Sequence, residues 1–335
     1  EPAGAPGRGA PGDAATGPGG GIGRGAPGTG DGAGRRLDIV HSHSPFVAGK
    51  LAGRTAARYG AVHVTTFHSK YRDDFLRSIP FEAAADLFVS RLVRFYEAAD
   101  AVWAPSEATA ETLRSYGFSG EVEVMPNGAD LEPPSSEAYG EYRRRGAQLL
   151  GLREEQPFVL LFVGQHRWEK NLRLIIDSLA ELSGERARAF RMVFAGTGAD
   201  LGEIRRYAGR RGVGELCDFR GLVLDREELK ALYARAELFL FPSLYDNAPL
   251  VLREAAAFRT PALLASGSTA AGDTRDGRNA FHCEARPEAL SSLLGRLLGD
   301  RELLRRVGEA ARREVYRSWE GIVEEVAARY EALLQ

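Results

Sequence analysis

Cysteine is scarce in this sequence, which holds only Cys217 and Cys283 among its 335 residues. Two cysteines cannot form a disulfide framework, and these two lack the paired spacing of a structural zinc site. The sequence also has no run of about 18 apolar residues, and its first residues lack the apolar centre of a secretory signal. We therefore expect a cytoplasmic protein with no membrane-spanning helix.

Neither sign of charge is in excess, because the formal net charge is only -2 while 27% of the residues are charged. This balance gives no reason to expect a nucleic-acid partner, and a hydrophobic share of 44% is typical of a globular protein. Domains usually hold roughly 100 to 200 residues, so the length predicts two of them.

Large apolar side chains are nearly missing from residues 1–36, where Gly, Pro and Ala dominate and Ile22 is the only larger aliphatic residue. Such a segment cannot bury enough apolar surface to offset the entropy of ordering, so we expect it to be disordered. The glycines of residues 19–23 are like those of a nucleotide-binding loop, but no strand precedes them and no amphipathic helix follows.

From Leu37 onward, short apolar runs alternate with helix-length segments. Near-continuous apolar runs of this kind are typical of parallel strands buried on both faces, and their alternation with helices predicts two α/β sheets. The first sheet is predicted from Asp38–His41, Val62–Phe67, Ala101–Ala104 and Val122–Met125. The second is predicted from Phe158–Val163, Met192–Ala195, Leu216–Phe219, Leu238–Phe241, Pro261–Ala265 and Ala280–Cys283.

A polar stretch from Leu131 to Gln156, with paired prolines and a run of arginines, separates the two groups and is predicted to be a linker with some helix. The boundaries we predict are 37–145 for the first domain, 146–317 for the second and 318–335 for a terminal helix. Because the first group has four strands and begins abruptly, we expect an N-terminal domain that is truncated relative to a longer parent.

The segment from Phe241 to Ala257 combines a strand, a short loop and a helix. Pro249 is predicted at the first helical position, which leaves the next amides free to bind a phosphate at a helix N-terminus. Asp246 in the loop and Glu254 in the helix could face different parts of one elongated ligand. A capping loop followed by a surface glutamate remains an alternative.

Two further turns follow strands of the same domain. Gly164 ends a strand and is followed by Lys170, while Gly196 and Gly198 come directly after another strand. Glycine is common in any turn between strand and helix, and a single lysine in a loop is usually just solvated. Histidines cluster at the strand ends of the first domain, in residues 41–46 and 66–71, where a histidine can donate hydrogen bonds or exchange protons near neutral pH.

Together these segments resemble retaining glycosyltransferase family 4, from about Leu37 to the C-terminus. Asp246 and Glu254 match the family's two acids with seven residues between them, with Asp in place of the usual first Glu, and Lys170 matches the lysine of its Gly-Arg…Glu-Lys-Gly loop. The arginine position of that loop is taken by Gln165, and Arg167 is two residues further on. The histidine segments resemble the family's His-x-His-x-Pro and Thr-Phe-His sequences.

The resemblance implies two Rossmann-like parallel-sheet domains facing a cleft, the GT-B arrangement, and transfer of a sugar from a nucleoside diphosphate donor with retention at the anomeric carbon. It implies catalytic roles for His68, Asp246 and Lys170. The residues that it and the helix N-terminus assign to donor binding are Gly164, Gln165, Arg167, Lys170, Gly196, Gly198, Arg220, Asn247, Ala248, Pro249, Leu250, Val251 and Glu254. Those expected on the acceptor side are His41, His43, Ser44, Lys70 and Tyr71.

No metal or other cofactor is expected, because the histidines lack a nearby carboxylate partner and no Asp-x-Asp pair occurs in the chain. The histidine segments are similar to those of family members acting on diacylglycerol, which implies a lipid or cell-envelope glycan acceptor and peripheral association with the inner membrane face. A basic and aromatic patch would mark that surface. Its candidates are Lys70, Arg72, Phe75, Arg77, Arg91 and Arg94.

Other functions remain open at this stage. Missing strands and altered acids favour a non-catalytic fragment that only binds a nucleotide sugar. An epimerase or phosphorylase on the same scaffold is a third reading, since fold alone does not fix function, although no lysine context for pyridoxal phosphate is found.

Overall fold

The computed structural model describes residues 36–79, 81–153, 157–182 and 189–335. The segment predicted to be disordered, with its glycine-rich stretch at residues 19–23, lies outside the described residues except for Arg36. Within the described residues, no helix is long and apolar enough to cross a membrane.

The first lobe is a four-stranded parallel sheet in the order β1-β2-β3-β4. Its inner strands are buried, and Phe67, Tyr96 and Leu113 lie in the apolar cluster between the sheet and its helices. The strands are β1 (Ile39–Ser42), β2 (Val62–Thr66), β3 (Ala101–Ala104) and β4 (Glu123–Val124). The helices are α1 (Val47–Tyr59), α2 (Tyr71–Ser78), α3 (Glu82–Glu97) and α4 (Glu107–Ser115).

The second lobe is a six-stranded parallel sheet in the order β10-β9-β8-β5-β6-β7. Its strands are β5 (Phe158–Val163), β6 (Phe190–Ala195), β7 (Cys217–Gly221), β8 (Leu238–Phe241), β9 (Ala262–Ala265) and β10 (Phe281–Cys283). Its helices are α6 (Leu172–Glu181), α7 (Leu201–Arg210), α8 (Arg226–Arg235), α9 (Leu250–Ala257), α10 (Pro287–Leu297) and α11 (Arg301–Glu314).

The chain changes direction between β5 and β8, which are neighbours in the sheet although about 75 residues apart in sequence. From β5 it winds outward through β6 to β7, and then returns to place β8, β9 and β10 on the other side. In open α/β sheets the crevice at the carboxyl ends of the strands at such a switch point is where ligands bind. The loops after β5 and β8 border that crevice.

Two helices connect the lobes. Helix α5 (Ser136–Leu149), which lies in the predicted linker, packs against α8 of the second lobe. Helix α12 (Trp319–Leu333) returns to the first lobe, where Tyr330 stacks on Trp103 with ring centroids 5.5 Å apart. The last helix therefore buries its apolar side against the first sheet, together with Val64 and Met125.

All ten predicted strands form, with ends that differ from the prediction by at most two residues, and the predicted two-sheet GT-B class is confirmed. The largest shortfall is β4, for which four residues were predicted and only Glu123–Val124 pair. The predicted domain boundaries stay a prediction.

Candidate functional site

The loop after β5 delivers Lys170 to the crevice. Gly164 ends the strand with a φ of 151°, and a single 3-10 turn, Trp168–Lys170, follows. Asn171 then takes a left-handed backbone with a φ of 59°, and its side-chain amide donates to the Pro242 carbonyl at 3.1 Å. This bond joins the β5 loop to the β8 loop, so Lys170 is held against the second loop.

Lys170 and Asp246 form the central ion pair of the crevice, with 2.6 Å between Nζ and Oδ1. Both side chains are largely enclosed, at 13% and 20% exposure. The other carboxylate oxygen of Asp246 accepts a hydrogen bond of 2.6 Å from the buried Ser243 hydroxyl. The two residues predicted to be catalytic in this lobe are therefore in direct contact.

Helix α9 begins directly beyond this ion pair, at Leu250. Pro249 is the N-cap rather than the first helical residue as predicted, because its ψ of 126° is extended. No side chain caps the helix, and Leu252 is the first residue whose amide bonds back, to the Pro249 carbonyl at 3.2 Å. The amides of Leu250 and Val251 thus lie at an uncapped N-terminus, which suits an anion.

Glu254 lies in the second turn of α9 and accepts a hydrogen bond of 2.9 Å from the Tyr233 hydroxyl. Burial raises the pKa of this carboxyl group, and the bond from Tyr233 opposes that effect. The structure does not contain the alternative arrangement of a capping loop and a surface glutamate. The Asp246 side chain does not cap helix α9, and Glu254 is half-buried.

A cavity of about 570 Å³ adjoins the β5 loop, and Gly164, Gln165, Arg167, Gly196 and Gly198 all line it. A Cβ atom at Gly196 would lie 2.0 Å from the Gly164 carbonyl oxygen, and one at Gly198 would lie 2.4 Å from that of His166. These two positions require glycine because the loops after β5 and β6 approach each other closely.

Arg220 does not line this cavity. Its guanidinium group donates to Glu228 at 3.1 Å and to the Leu149 carbonyl at 3.2 Å. Leu222 and Val223, which follow Arg220 in the chain, form part of the cavity wall instead. Arg167 is exposed, and its nearest ion-pair partner is Glu169 at 3.6 Å.

Histidines of the first lobe reach the same crevice. The His68 carbonyl accepts a hydrogen bond of 2.6 Å from Asn247, next to Asp246, so the two lobes meet at the predicted site. His68 Nε2 lies 2.9 Å from His43 Nδ1, and the pKa of His68 is lowered by burial and by His43. His41 lies deeper, between Tyr330 (2.5 Å) and Thr66 (2.7 Å).

The remaining acceptor-side residues differ in exposure. Lys70 donates across the lobe boundary to the Leu244 carbonyl at 3.0 Å. Ser44 is half-buried and accepts a weak bond from the Phe46 amide at 3.4 Å. Tyr71 is buried in the first-lobe core against Phe67, and burial raises the pKa of its hydroxyl.

Helix α2 makes a second set of contacts between the lobes. The Tyr245 hydroxyl donates to Asp74, and Arg77 lies 3.9 Å from the centre of the Tyr245 ring. Arg77 also forms an ion pair of 2.8 Å with Glu169. The residue immediately before Asp246 is therefore clamped between the lobes.

Sequence reasoning missed several residues that build this site. They are Asn171, Ser243, Tyr233, Tyr245 and the wholly buried His166. Ser243 and Tyr245 lie in the segment around Asp246 that the sequence analysis identified. Polar side chains directly after a buried strand could have indicated that they belong to the site. Tyr233 gave no such signal in the sequence, because it lies in a helix whose contact with α9 depends on tertiary packing.

In the part of the chain that the structure describes, no three His, Cys, Asp or Glu side chains converge on a metal site.

Comparison with known proteins gives a family for each lobe. Residues 151–314 match the model of glycosyl transferases group 1, and residues 32–133 match that of glycosyltransferase family 4. Both matches support a glycosyltransferase of the family 4 type. Both the ion pair of Lys170 with Asp246 and the α9 N-terminus fall within the group 1 match.

Among curated relatives of this chain, the alpha-monoglucosyldiacylglycerol synthase of Streptococcus pneumoniae is 26% identical over 68% of the chain and 52% of its own length. A D-inositol 3-phosphate glycosyltransferase of Nocardia farcinica is 28% identical over 89% of the chain and 67% of its own length. The chain thus spans only about half the length of the first of these relatives.

Solved structures with the same fold include HepE of Anabaena in complex with UDP, with a TM-score of 0.72 at 18% identity. That match covers 88% of this chain and 79% of HepE. WaaG, a glycosyltransferase involved in lipopolysaccharide biosynthesis, gives a TM-score of 0.64 at 20% identity over 80% of the chain and 74% of WaaG.

Proposed function

We propose that this family 4 glycosyltransferase transfers a sugar from a nucleoside diphosphate sugar to an acceptor hydroxyl, with retention of configuration at the anomeric carbon. The observation that carries the proposal is the ion pair of Lys170 with Asp246 beside the uncapped N-terminus of α9. A cation next to free backbone amides is what a departing diphosphate requires.

Each part of the donor has a matching partner in this arrangement. The diphosphate would bind the amides of Leu250 and Val251 and the ammonium group of Lys170, which then exchanges Asp246 for phosphate oxygens. Glu254, held by Tyr233, suits hydrogen bonds from ribose hydroxyls. The cavity beside Gly196 has the volume and apolar wall that a nucleobase would need.

The chemistry follows from how charge develops. As the bond to the leaving group breaks, negative charge accumulates on the diphosphate. Lys170 and the helix amides therefore stabilise the transition state more strongly than the ground state. These fixed positive groups support a metal-independent mechanism. Front-face attack by the acceptor hydroxyl is the retaining route that we propose. Contacts such as Asn247 to His68 support lobe closure, which excludes water from the reaction.

The acceptor we propose is a lipid at a membrane surface, in keeping with the name of the pneumococcal relative. Val47, Leu51, Phe81 and Leu87 expose apolar side chains on the first lobe. The exposed Arg91 and Arg94 lie on the same helix, α3, as Leu87. Lys70, Arg72 and Arg77 contribute less, because they bond to Leu244, Asp86 and Glu169.

A direct test offers the purified chain a panel of nucleoside diphosphate sugars with diacylglycerol, monoglycosyl diacylglycerol or glycan acceptors. The proposal predicts release of nucleoside diphosphate coupled to product, with the donor's anomeric configuration retained by NMR and no loss of rate in EDTA. An inverted product would contradict retention. Donor binding without transfer or hydrolysis would favour the alternative of a non-catalytic binding fragment.

A further inference from the structure

Three histidines of the first lobe, His41, His43 and His68, form a row that we call the histidine row. His41 and His43 are alternate residues at the end of β1, where side chains two positions apart share a face of the sheet. Strand β1 pairs with β2, which ends at Thr66, just before His68. The ring centroids of His41 and His43 are 4.3 Å apart, and those of His43 and His68 are 5.2 Å apart. The histidine row therefore runs from the sheet to the lobe boundary.

His41 is the fixed end of the histidine row. Its Nδ1 lies 2.5 Å from the Tyr330 hydroxyl, and its Nε2 lies 2.7 Å from the Thr66 hydroxyl. Because a hydroxyl group can both donate and accept, these contacts satisfy either tautomer of a neutral imidazole. Tyr330 is itself held in place, since its ring stacks on Trp103. The C-terminal helix α12 thus anchors His41, and His43 stacks on this anchored ring.

The contact between His43 and His68 joins two ring nitrogens. His43 Nδ1 and His68 Nε2 are 2.9 Å apart, so one nitrogen carries the proton and the other accepts it. Burial lowers the pKa of both rings, which keeps them neutral near neutral pH. A neutral imidazole has a single N–H. If His43 donates, His68 therefore carries its own N–H at Nδ1, and if His68 donates, its Nδ1 is an acceptor.

The second nitrogen of His68, Nδ1, has no hydrogen-bond partner within the described part of the chain. His68 also lies where the lobes meet, because its backbone carbonyl accepts the bond from Asn247, next to Asp246. Of the two nitrogens, His43 occupies Nε2 and Nδ1 is left for a ligand.

We infer that His43 and Tyr330 are positioning residues for His68, which presents Nδ1 to a hydroxyl group of the bound sugar or of the acceptor. Tyr330 holds His41, His41 supports the stacked ring of His43, and His43 fixes both the orientation of His68 and the protonation of its Nδ1. A histidine whose tautomer is set in advance makes its hydrogen bond without reorganising. The inference rests on the proposed transfer function, because it assigns these residues to the same crevice.

The first test needs no turnover. NMR of the imidazole nitrogens in the full chain reports which nitrogen of His68 carries the proton, and His68→Gln assigns its signals. His43→Ala should move both His68 nitrogen signals toward those of a ring that averages its two tautomers. Tyr330→Phe keeps the ring that stacks on Trp103 and should move them in the same direction by less. Unchanged signals in folded His43→Ala would overturn the role of His43, and unchanged signals in folded Tyr330→Phe would overturn that of Tyr330.

The second test measures transfer kinetics. His43→Ala removes the bond to His68, whereas His43→Asn places an amide nitrogen close to the position of Nδ1 and keeps it. We expect kcat to fall about tenfold in His43→Ala, the scale of one hydrogen bond, with little change in KM for the donor, and to recover in His43→Asn. His282→Ala is the control, because it removes a half-buried second-lobe histidine bonded to Thr274 at 2.7 Å and should leave kcat unchanged.

Hydrolysis of the donor without acceptor identifies the hydroxyl that His68 binds. Equal losses of hydrolysis and transfer in His43→Ala would assign it to the donor sugar, and a loss of transfer alone would assign it to the acceptor. An unchanged kcat in folded His43→Ala, or an equal loss in His43→Asn, would overturn the inference. A parent chain that neither transfers nor hydrolyses would contradict the proposed function instead, and the NMR comparison would still decide the roles of His43 and Tyr330.

Discussion

The ammonium group of Lys170 and the carboxylate of Asp246 are 2.6 Å apart although 76 positions separate them in the chain. Ser243 and the loop joined by Asn171 hold the pair in place. Both oxygens of the Asp246 carboxylate are bonded, one to Lys170 and the other to Ser243. Under the proposed function, donor binding has to rearrange this ion pair.

Lys170→Ala should lower kcat/KM for the donor by about 100-fold or more, because it removes the cation facing the leaving group. Lys50→Ala is the matched comparison, since Lys50 is an exposed lysine on helix α1 of the first lobe. Steady-state kinetics with the donor varied would measure both. Equal losses in the two variants would mean that Lys170 has no special role.

Ser243→Ala should reduce kcat/KM by about tenfold, the scale of one hydrogen bond to a charged group. The hydroxyl is buried and fixes the carboxylate of Asp246, so its loss lets that group turn away from Lys170. Ser243→Thr, which keeps a hydroxyl, is expected to recover part of the activity. No recovery together with a lower melting temperature would indicate a packing defect instead.

Tyr233→Phe should weaken nucleoside diphosphate binding more at pH 6 than at pH 8. Burial raises the pKa of Glu254 and the bond from Tyr233 counteracts this, so removing the hydroxyl raises the pKa further. A protonated Glu254 loses acceptor capacity for ribose hydroxyls. Calorimetric titrations at the two pH values measure the effect, and a pH-independent loss would contradict this role for Glu254.

Tyr245→Phe should lower kcat while leaving nucleotide affinity nearly unchanged. The hydroxyl bonds to Asp74 across the lobes, and the ring that packs on Arg77 is retained in the variant. Lobe contacts of this kind control closure rather than binding. A double-mutant cycle with Asp74→Asn checks the pairing, since additive losses in kcat would show that the two side chains act independently.

Stability should fall as the pH is lowered from about 6.5 to about 4. Burial lowers the pKa of His41 to about 4, with His43, His68 and His63 acting in the same direction. In the unfolded chain this histidine binds a proton near pH 6.5, whereas in the folded chain His41 binds it only near pH 4. Between these two pH values, protonation therefore favours the unfolded state. Urea denaturation of the parent and of His41→Gln measures it, and an equally steep decline in the variant would exclude His41 as a cause.

The strands were predictable because each is a short apolar run that can be recognised from its own residues, as with Phe158–Val163 and Leu238–Phe241. The contacts of the site were not, since they depend on which strands become neighbours. The pairing of β5 with β8 brings Lys170 to Asp246, and the packing of α8 beside α9 brings Tyr233 to Glu254.

The central claim is that the crevice at Lys170, Asp246 and the α9 N-terminus binds a nucleoside diphosphate. Calorimetric titration of UDP, GDP, ADP and dTDP into the chain and into Lys170→Ala tests it most directly. The account predicts saturable binding of at least one of them and an affinity about tenfold or more lower in Lys170→Ala. Absence of binding by all four, or binding of equal strength in the folded variant, would contradict it.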